Sequence, residues 1–325
     1  MNAAAGRIAL PIVVAAAGLV LPFMAPNYLV QFSTLWMMVV LALTWDLLGG
    51  QMGYNSFGNI LFFGIGVYGT AVVQRDLGLT YFGGLGVGLA VSIVLAVAVA
   101  VVLGAGLLRL RGHYFAIATL GLGIAAGEIA GAWDYVGAGS GMLTPPFPGT
   151  VDGRNILLYY LFFGLAVLCF LSLRWLLAGR FGLAANAIRD DEDKAEAMGL
   201  RTARYKIVAW SVAALFLAVA GGLFGNQIGF VDPRDTAFAG ATLGVWMVLM
   251  AILGGKGTIW GPVLGAAVFH FVQELTWIYL LGWQRVALGL FIVVVVVFFP
   301  EGILGWARLR WPAAFGHRVE EGEGT

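Results

Sequence analysis

Charged side chains are scarce in this chain: 18 are basic and 17 are acidic among 325 residues, whereas 61% of the residues are hydrophobic. A soluble protein of this length needs more charge to cover its surface. The mean hydropathy is +0.92, and several charge-free runs reach the ~20 apolar residues that cross a bilayer. The composition therefore excludes a soluble globular protein and predicts an all-α, polytopic integral membrane protein.

Residues that could form disulfides, metal sites or catalytic sites are equally rare. The single cysteine, Cys169, lies in an apolar run, which excludes a disulfide or a thiolate metal site within the chain. The histidines, His113, His270 and His317, lack partners at metal-ligand spacing, and no hydrolase or zinc-protease motif is present. The sequence thus predicts neither a metal site nor an enzyme. The net charge of +1 gives no reason to expect a nucleic-acid partner.

Two motifs resemble nucleotide-binding signatures only in their letters. GIGVYG at 64–69 matches G-x-G-x-x-G, but a dinucleotide site needs a soluble βαβ unit. Here the glycines indicate close helix packing. Lys256 in GGKGT lacks the spacing of a phosphate-binding loop. We therefore expect this chain to bind no cofactor, ATP included, by itself.

The apolar runs divide at charges, prolines and Gly-rich turns into about ten candidate membrane-spanning helices. They lie near 8–25, 29–48, 57–74, 82–107, 114–132, 156–177, 207–229, 239–254, 259–279 and 284–300. With ten spans, four basic groups fall on one side together with both termini: Arg7, Arg109 with Arg111, the basic residues from Arg174 to Lys206, and Arg308 with Arg310 and Arg318. The positive-inside rule makes that side cytoplasmic. The predicted organisation is a transmembrane domain over 1–306, containing a cytoplasmic loop at about 178–206, and a cytoplasmic tail over 307–325.

Two Gly-rich segments resemble each other weakly: LLGGQMGYNSFGN at 47–59 and AILGGKGTIWGPV at 251–263. Each places Gly-Gly between two apolar runs. In membrane transporters, such interruptions in both halves often mark helices that are broken beside the translocation path. Two helix hairpins packed through glycine explain the pattern more simply, so both interpretations stay open.

Polar residues within the apolar spans are candidates for function, because a membrane interior makes them costly. Asp46 and Glu128 lie near predicted span ends, where a solvated carboxylate is ordinary, and Glu274 also lies toward an end. Amides and hydroxyls in the first Gly-rich segment either line a polar path or cap the next helix. The candidate pathway-lining residues are Asn55, Ser56, Asn59, Glu128 and Glu274.

Charge is concentrated in one segment, AIRDDEDKAEAMGL at 187–200, which has seven charged residues in fourteen positions. Its acidic run, Asp190 to Asp193, suits the first turn of a short helix, and Gly199 is typical of a helix stop. Ala195, Ala197 and Met198 are expected to form a small apolar face. A solvated loop also explains the charge, but this layout favours a docking surface for a cytoplasmic partner.

Three basic residues follow this segment, at the start of the next apolar run: Arg201, Arg204 and Lys206. Anionic lipid attracts basic side chains that lie next to a membrane span. We therefore expect all three residues to anchor that span at the inner leaflet.

At these residues the chain resembles the LivM-type permeases of branched-chain amino acid ABC importers. Residues 182–225 are similar to the cytoplasmic loop and following helix of that family. DKAEAMG at 193–199 occupies the place of the loop signature that such permeases present to their ATPases, although Asp193 and Lys194 stand where Glu and Ala are usual. Further similar segments are FGNILFFGIGVYGTA (57–71), LRLRGHYFAIATLGLG (108–123), LGGKGTIWGPVLGAA (253–267) and FFPEGILG (298–305).

The resemblance implies a multi-pass permease of the bacterial inner membrane that moves branched-chain or related hydrophobic amino acids inward. The implied partners are a LivH-like permease, two LivG/LivF-like ATPases that hold the ATP and Mg²⁺, and a periplasmic substrate-binding protein. The implied ATPase-coupling loop contains Arg189, Asp190, Asp191, Glu192, Asp193, Ala195, Glu196, Met198 and Gly199.

Other functions are left open at this point. Urea and short amides are alternative substrates within the same family, and QMGYNSFGN at 51–59 departs from the commoner family pattern there. An ion-coupled secondary transporter is the alternative from a different class, and it needs buried ionisable groups near span centres. A membrane-embedded enzyme needs clustered His, Asp or Cys, which the sequence lacks.

Overall fold

Helices make up nearly all of the structure, a computed structural model that describes residues 3–280, 282–298 and 302–310. In chain order they are α1 (Ala3–Met24), α2 (Leu29–Gly49), α3 (Ile60–Asp76), α4 (Tyr81–Leu107), α5 (Gly112–Ala132), α6 (Val151–Ala178), α7 (Arg180–Asp190), α8 (Glu192–Ala197), α9 (Thr202–Ile228), α10 (Val245–Gly254), α11 (Gly261–Tyr279), α12 (Gln284–Phe298) and α13 (Gly302–Arg310). Strands β1 (Met142–Leu143) and β2 (Phe230–Val231) pair antiparallel, with Met142 opposite Val231. The predicted all-α class is confirmed.

Six segments of the described chain are long and apolar enough to cross a membrane. They are Pro26–Gly49, Tyr81–Leu107, Gly112–Ala132, Val151–Ala178, Thr202–Ile228 and Pro233–Gly254. The chain is therefore a multi-pass membrane protein. A helix occupies the place of each of the ten predicted spans, but ten crossings and cytoplasmic termini stay predictions. The predicted tail, 307–325, lies outside the described residues from 311 onward.

Two helices differ from their predicted bounds for local reasons. α6 begins earlier than expected because Thr150 caps it, its Oγ1 accepting a hydrogen bond from the Gly153 amide at 3.1 Å. The predicted span 239–254 is not one regular helix. Two π-helical turns, Pro233–Ala237 and Gly240–Gly244, precede α10. One predicted span is thus interrupted by irregular helix in its first half.

α9 lies at the centre of the helix packing, in contact with α2, α3, α4 and α6. Its contact with α3 is close because a glycine on each helix faces the backbone of the other. An added Cβ at Gly221 would lie 2.0 Å from the Phe63 carbonyl oxygen, and one at Gly66 would lie 2.1 Å from the Ala218 carbonyl oxygen. The interpretation of GIGVYG as a helix-packing motif is confirmed.

The two Gly-rich segments lie against each other. Residues 50–59 connect α2 to α3, and residues 255–260 connect α10 to α11. The Gly257 amide donates a hydrogen bond of 2.7 Å to Asp46 Oδ1, and Gln51 Nε2 donates one of 3.1 Å to Asp46 Oδ2. Asp46 is only 3% exposed, so the expectation that water solvates its carboxylate is wrong. The carboxylate is buried, and the two hydrogen-bond donors satisfy it in place of water.

The hairpin interpretation of these segments holds for one of them. α10 and α11 pack directly on each other, with Gly254 and Gly265 at their contact. α2 packs mainly on α6, whereas α3 packs mainly on α9 and α4. The first connection, 50–59, therefore joins two helices that belong to different parts of the bundle.

Candidate functional site

The charged segment 187–200 folds as two short helices. α7 ends at Asp190, and Asp191, with extended backbone, separates it from α8. Oδ1 of Asp191 accepts a hydrogen bond from the Lys194 amide at 3.0 Å, which caps α8. Gly199 has φ 89°, the left-handed conformation that ends helices and favours glycine. The predicted stop is present, but the predicted acidic first turn is only partly so: Asp190 ends α7 and Asp191 caps α8, which leaves Glu192 and Asp193 in the first turn.

α8 presents different residues to the protein and to the solvent. Ala195 is 2% exposed, whereas Met198 is 86% exposed, and Ala197 also faces outward. The predicted apolar face shared by these three residues is therefore wrong, because one turn of helix directs Ala195 inward and the other two outward. The exposed members of the predicted coupling loop are Arg189, Asp190, Asp193, Glu196, Met198 and Gly199.

The first residue of α8, Glu192, is held by a buried ion pair. Its Oε1 lies 2.6 Å from Nζ of Lys206 on α9 and accepts a hydrogen bond from the Thr202 hydroxyl at 3.0 Å. The Tyr54 hydroxyl donates to its Oε2. Burial by itself raises the pKa of Glu192, but the hydrogen bonds from Lys206 and Tyr54 hold that pKa below its ordinary value. Glu192 is therefore ionised at neutral pH.

Lys206 joins three parts of the chain. Besides Glu192, its Nζ donates to the Leu108 carbonyl oxygen, just after α4, at 2.7 Å and to the Tyr54 hydroxyl at 3.0 Å. A lysine ammonium has three N–H donors, and these three contacts use them all. The Lys206 side chain is 3% exposed, so the expectation that it anchors the span at the leaflet is wrong. We refer to Tyr54, Leu108, Glu192, Thr202 and Lys206 as the anchor cluster.

A second layer of ion pairs covers the anchor cluster on the solvent side. Nη1 of Arg111, the residue before α5, lies 2.6 Å from Asp193 Oδ1. Its Nε lies 3.5 Å from Glu192 Oε2, and its Nη2 lies 3.9 Å from Glu196 Oε2. The Arg111 side chain is 49% exposed, so solvent screens these pairs. They orient α8 without contributing much to its stability.

The candidate pathway residues in the first Gly-rich segment are mostly buried. Ser56 and Asn59 are each 1% exposed, whereas Asn55 is exposed. Asn59 Oδ1 accepts a hydrogen bond from Trp210 Nε1 at 3.1 Å, while its Nδ2 is buried without a partner among the described residues. Asn59 precedes α3 but makes no side-chain cap, which removes the capping explanation for it.

The other two pathway candidates lie on different helices. Glu128 on α5 forms an exposed ion pair with Arg234 in the first π-helical turn, with Oε2 and Nη2 2.9 Å apart. Glu274 is half-buried on α11. The structure therefore does not gather the five candidates into one site, and their role in a pathway stays a prediction.

Comparison with known proteins decides what kind of protein carries this site. Residues 24–299 match the family described as "Branched-chain amino acid transport system / permease component". The chain belongs to this family. The matched range contains the whole anchor cluster and both Gly-rich segments, so the site lies in the part of the permease that the family shares.

Individual relatives of this permease are also transport proteins. The high-affinity branched-chain amino acid transport system permease protein LivM of Salmonella typhimurium (strain LT2) is 28% identical over 88% of this chain and 72% of its own, and the LivM protein of Escherichia coli (strain K12) gives the same values. The autoinducer 2 import system permease protein LsrC of Yersinia pseudotuberculosis is 34% identical over 41% of this chain and 40% of its own. No solved structure matches. The chain is a transport permease and not an enzyme.

Proposed function

We propose that this permease is the membrane-spanning subunit of an ABC importer in the bacterial inner membrane, and that it moves branched-chain or related hydrophobic amino acids inward. The observation that carries the proposal is the way in which α8 is attached to the rest of the protein. This helix is exposed on its outer face and tied at its first residue to the membrane bundle by the buried Glu192–Lys206 pair. The names of the LivM relatives support the substrate class.

The anchor cluster gives a physical route from α8 into the bundle. A partner that displaces α8 displaces Glu192, and through Lys206 it acts on α9 and on the Leu108 carbonyl after α4. Tyr54 carries the same displacement into residues 50–59. Because these contacts are short and largely shielded from water, separating them is costly, and the helices are expected to move with α8.

The Gly-rich segments extend this route further. Residues 50–59 follow α2 directly, and Asp46 in the last turn of α2 holds the Gly257 amide of the second segment. A movement that enters at Tyr54 therefore reaches the connection between α10 and α11 through one further hydrogen bond. This arrangement supports a mechanism in which both Gly-rich segments change together when α8 is displaced.

The partners proposed for this permease follow from its surface and sequence. The exposed Asp193, Lys194 and Met198 offer charge beside an apolar tip, which suits a cleft in a LivG/LivF-like ATPase. Since the chain has no phosphate-binding loop, ATP and Mg²⁺ belong on two such ATPases. A LivH-like permease and a periplasmic substrate-binding protein complete the proposed transporter.

Two alanines on α8 allow a matched test. Ala195→Asp places a carboxylate at a site that is 2% exposed, where an unpaired charge is costly, whereas Ala197→Asp adds the same charge to the exposed face. In proteoliposomes containing the cognate ATPases and binding protein, we expect A195D to lose ATP-dependent leucine uptake and ATPase co-purification. A197D should retain membrane insertion and at least part of both activities.

The outcomes separate the proposed function from its alternatives. Wild-type uptake by A195D would show that α8 does not couple the ATPases to transport. Uptake by the wild type that survives ATP depletion would instead favour ion-coupled transport. Uptake of urea or short amides in place of leucine would retain the importer and change its substrate.

A further inference from the structure

A cleft of about 470 Å³ opens between the start of α7 and the first turns of α9. Its lining is mixed and contains three apolar side chains, two arginines and a phenol. The apolar residues are Phe181, Leu200 and Val208, and the polar ones are Arg201, Arg204 and Tyr205. A cleft with this lining suits a ligand that has an anionic head and a hydrocarbon body.

The arginines of the cleft are not neutralised by the protein. Within the described residues, Arg201 and Arg204 form no ion pair or side-chain hydrogen bond, whereas Arg111 pairs with Asp193 and Arg189 with Asp190. Two exposed guanidinium groups three residues apart in one cleft create a local positive potential. Guanidinium groups bind carboxylate and phosphate oxygens in a bidentate manner, and beside a membrane span the abundant anionic oxygen group is the lipid phosphate.

The place of the cleft in the bundle indicates where that phosphate comes from. α9 begins at Thr202 and is one of the segments long and apolar enough to cross a membrane. Arg201 and Arg204 are therefore expected at the membrane surface, and Val208, which is 45% exposed, lies about one turn further along the span. A lipid headgroup at the arginines would direct its acyl chain along Val208 into the hydrocarbon layer.

We propose that this cleft binds one anionic phospholipid. Arg201 and Arg204 hold its phosphate, the Tyr205 hydroxyl donates a further hydrogen bond, and Phe181, Leu200 and Val208 contact the first part of an acyl chain. The site is independent of the transported substrate. Because Leu200 directly follows the Gly199 stop of α8, the bound lipid supports the end of that helix and links its position to membrane composition.

The test compares two double variants of the full chain in nanodiscs of phosphatidylcholine containing a small fraction of phosphatidylglycerol. Arg201→Gln/Arg204→Gln removes the charges of the cleft. Arg109→Gln/Arg174→Gln removes the same charge from other exposed positions near the ends of α4 and α6. Native mass spectrometry after transfer to detergent then counts the phosphatidylglycerol molecules that each protein retains.

We expect the wild type and the R109Q/R174Q control to retain one phosphatidylglycerol, and R201Q/R204Q to bind it roughly thirtyfold more weakly. Equal loss in both variants would show diffuse attraction by surface charge and overturn the proposal. Displacement of the lipid by glycerol phosphate would show a site for a free phosphate. If no lipid is retained and the two arginines are instead shielded by bound ATPase in neutral lipid, a protein segment and not a lipid occupies the cleft.

Discussion

Replacing Lys206 by methionine removes the cation of the anchor cluster and keeps an unbranched side chain of similar length. Glu192, whose side chain is 11% exposed, then keeps only Arg111 as a counter-charge, with its 49% exposed side chain 3.5 Å from Glu192 Oε2. Removing one partner of a buried ion pair costs about 3–5 kcal/mol when the remaining charge is uncompensated, and the remaining contact with the solvent-exposed Arg111 places the expected cost at the lower end of that range. We expect the free energy of unfolding of K206M to fall by an amount of this size.

Two further variants isolate the origin of that loss. Glu192→Gln/Lys206→Met removes both charges and is expected to recover most of the stability, since neutral groups of similar shape replace the pair. Arg111→Met removes a cation from the exposed layer, where the side chain is 49% exposed, and is expected to cost at most about 1 kcal/mol.

Denaturant unfolding of the purified chains in detergent measures these differences, and ATP hydrolysed per leucine transported measures coupling. K206M should hydrolyse more ATP per leucine than the wild type, whereas R111M should remain close to it. Equal losses of stability in K206M and R111M would refute the argument that the buried pair holds α8. The argument would also be refuted if Glu192→Gln/Lys206→Met lost as much stability as the separate losses of E192Q and K206M added together.

Two other predictions follow from the packing and from the charge of α8. Gly221→Ala places a Cβ 2.0 Å from a carbonyl oxygen of α3, whereas at Gly164 an added Cβ meets nothing within 4 Å; size-exclusion chromatography should show little folded G221A and normal G164A, and equal yields would contradict the close contact. Because the pKa of Glu192 is lowered from 4.5, its stabilising effect is complete above that value and is lost as the pH falls through the folded pKa. The free energy of unfolding of E192Q should not show this loss at low pH. The same pH dependence in the wild type and in E192Q would contradict the assignment of the loss to Glu192.

The features that the sequence predicted well are those with a local cause. Apolar runs identify membrane helices because crossing hydrocarbon requires that length of apolar chain. The acidic start and the stop of α8 have a local cause as well, because the first-turn carboxylates and Gly199 act on the backbone of their own neighbours. The substrate class and the partners came from resemblance, and spacing alone would not have supplied them.

The anchor cluster was missed because its members are far apart in the chain. Tyr54 and Glu192 are separated by 138 positions, and no local pattern indicates that they meet. A signal for Lys206 did exist, since a basic residue in the first turns of an apolar run is costly unless it is paired. The buried charges of this chain are thus not confined to the acidic residues of the apolar spans, and Lys206 differs in this from Arg201 and Arg204, which are exposed.

The 27 residues of α9 have fixed contacts at both ends. Lys206 holds one end to α8, and at the other the chain continues from Gly229, whose carbonyl oxygen accepts from the Thr144 amide at 3.0 Å, into β2, which pairs with β1. The helix is about 40 Å long, so a tilt of about 5° around its middle shifts each end by roughly 2 Å in opposite directions. The loop that carries β1 would then report, across the full thickness of the bundle, on the position of α8.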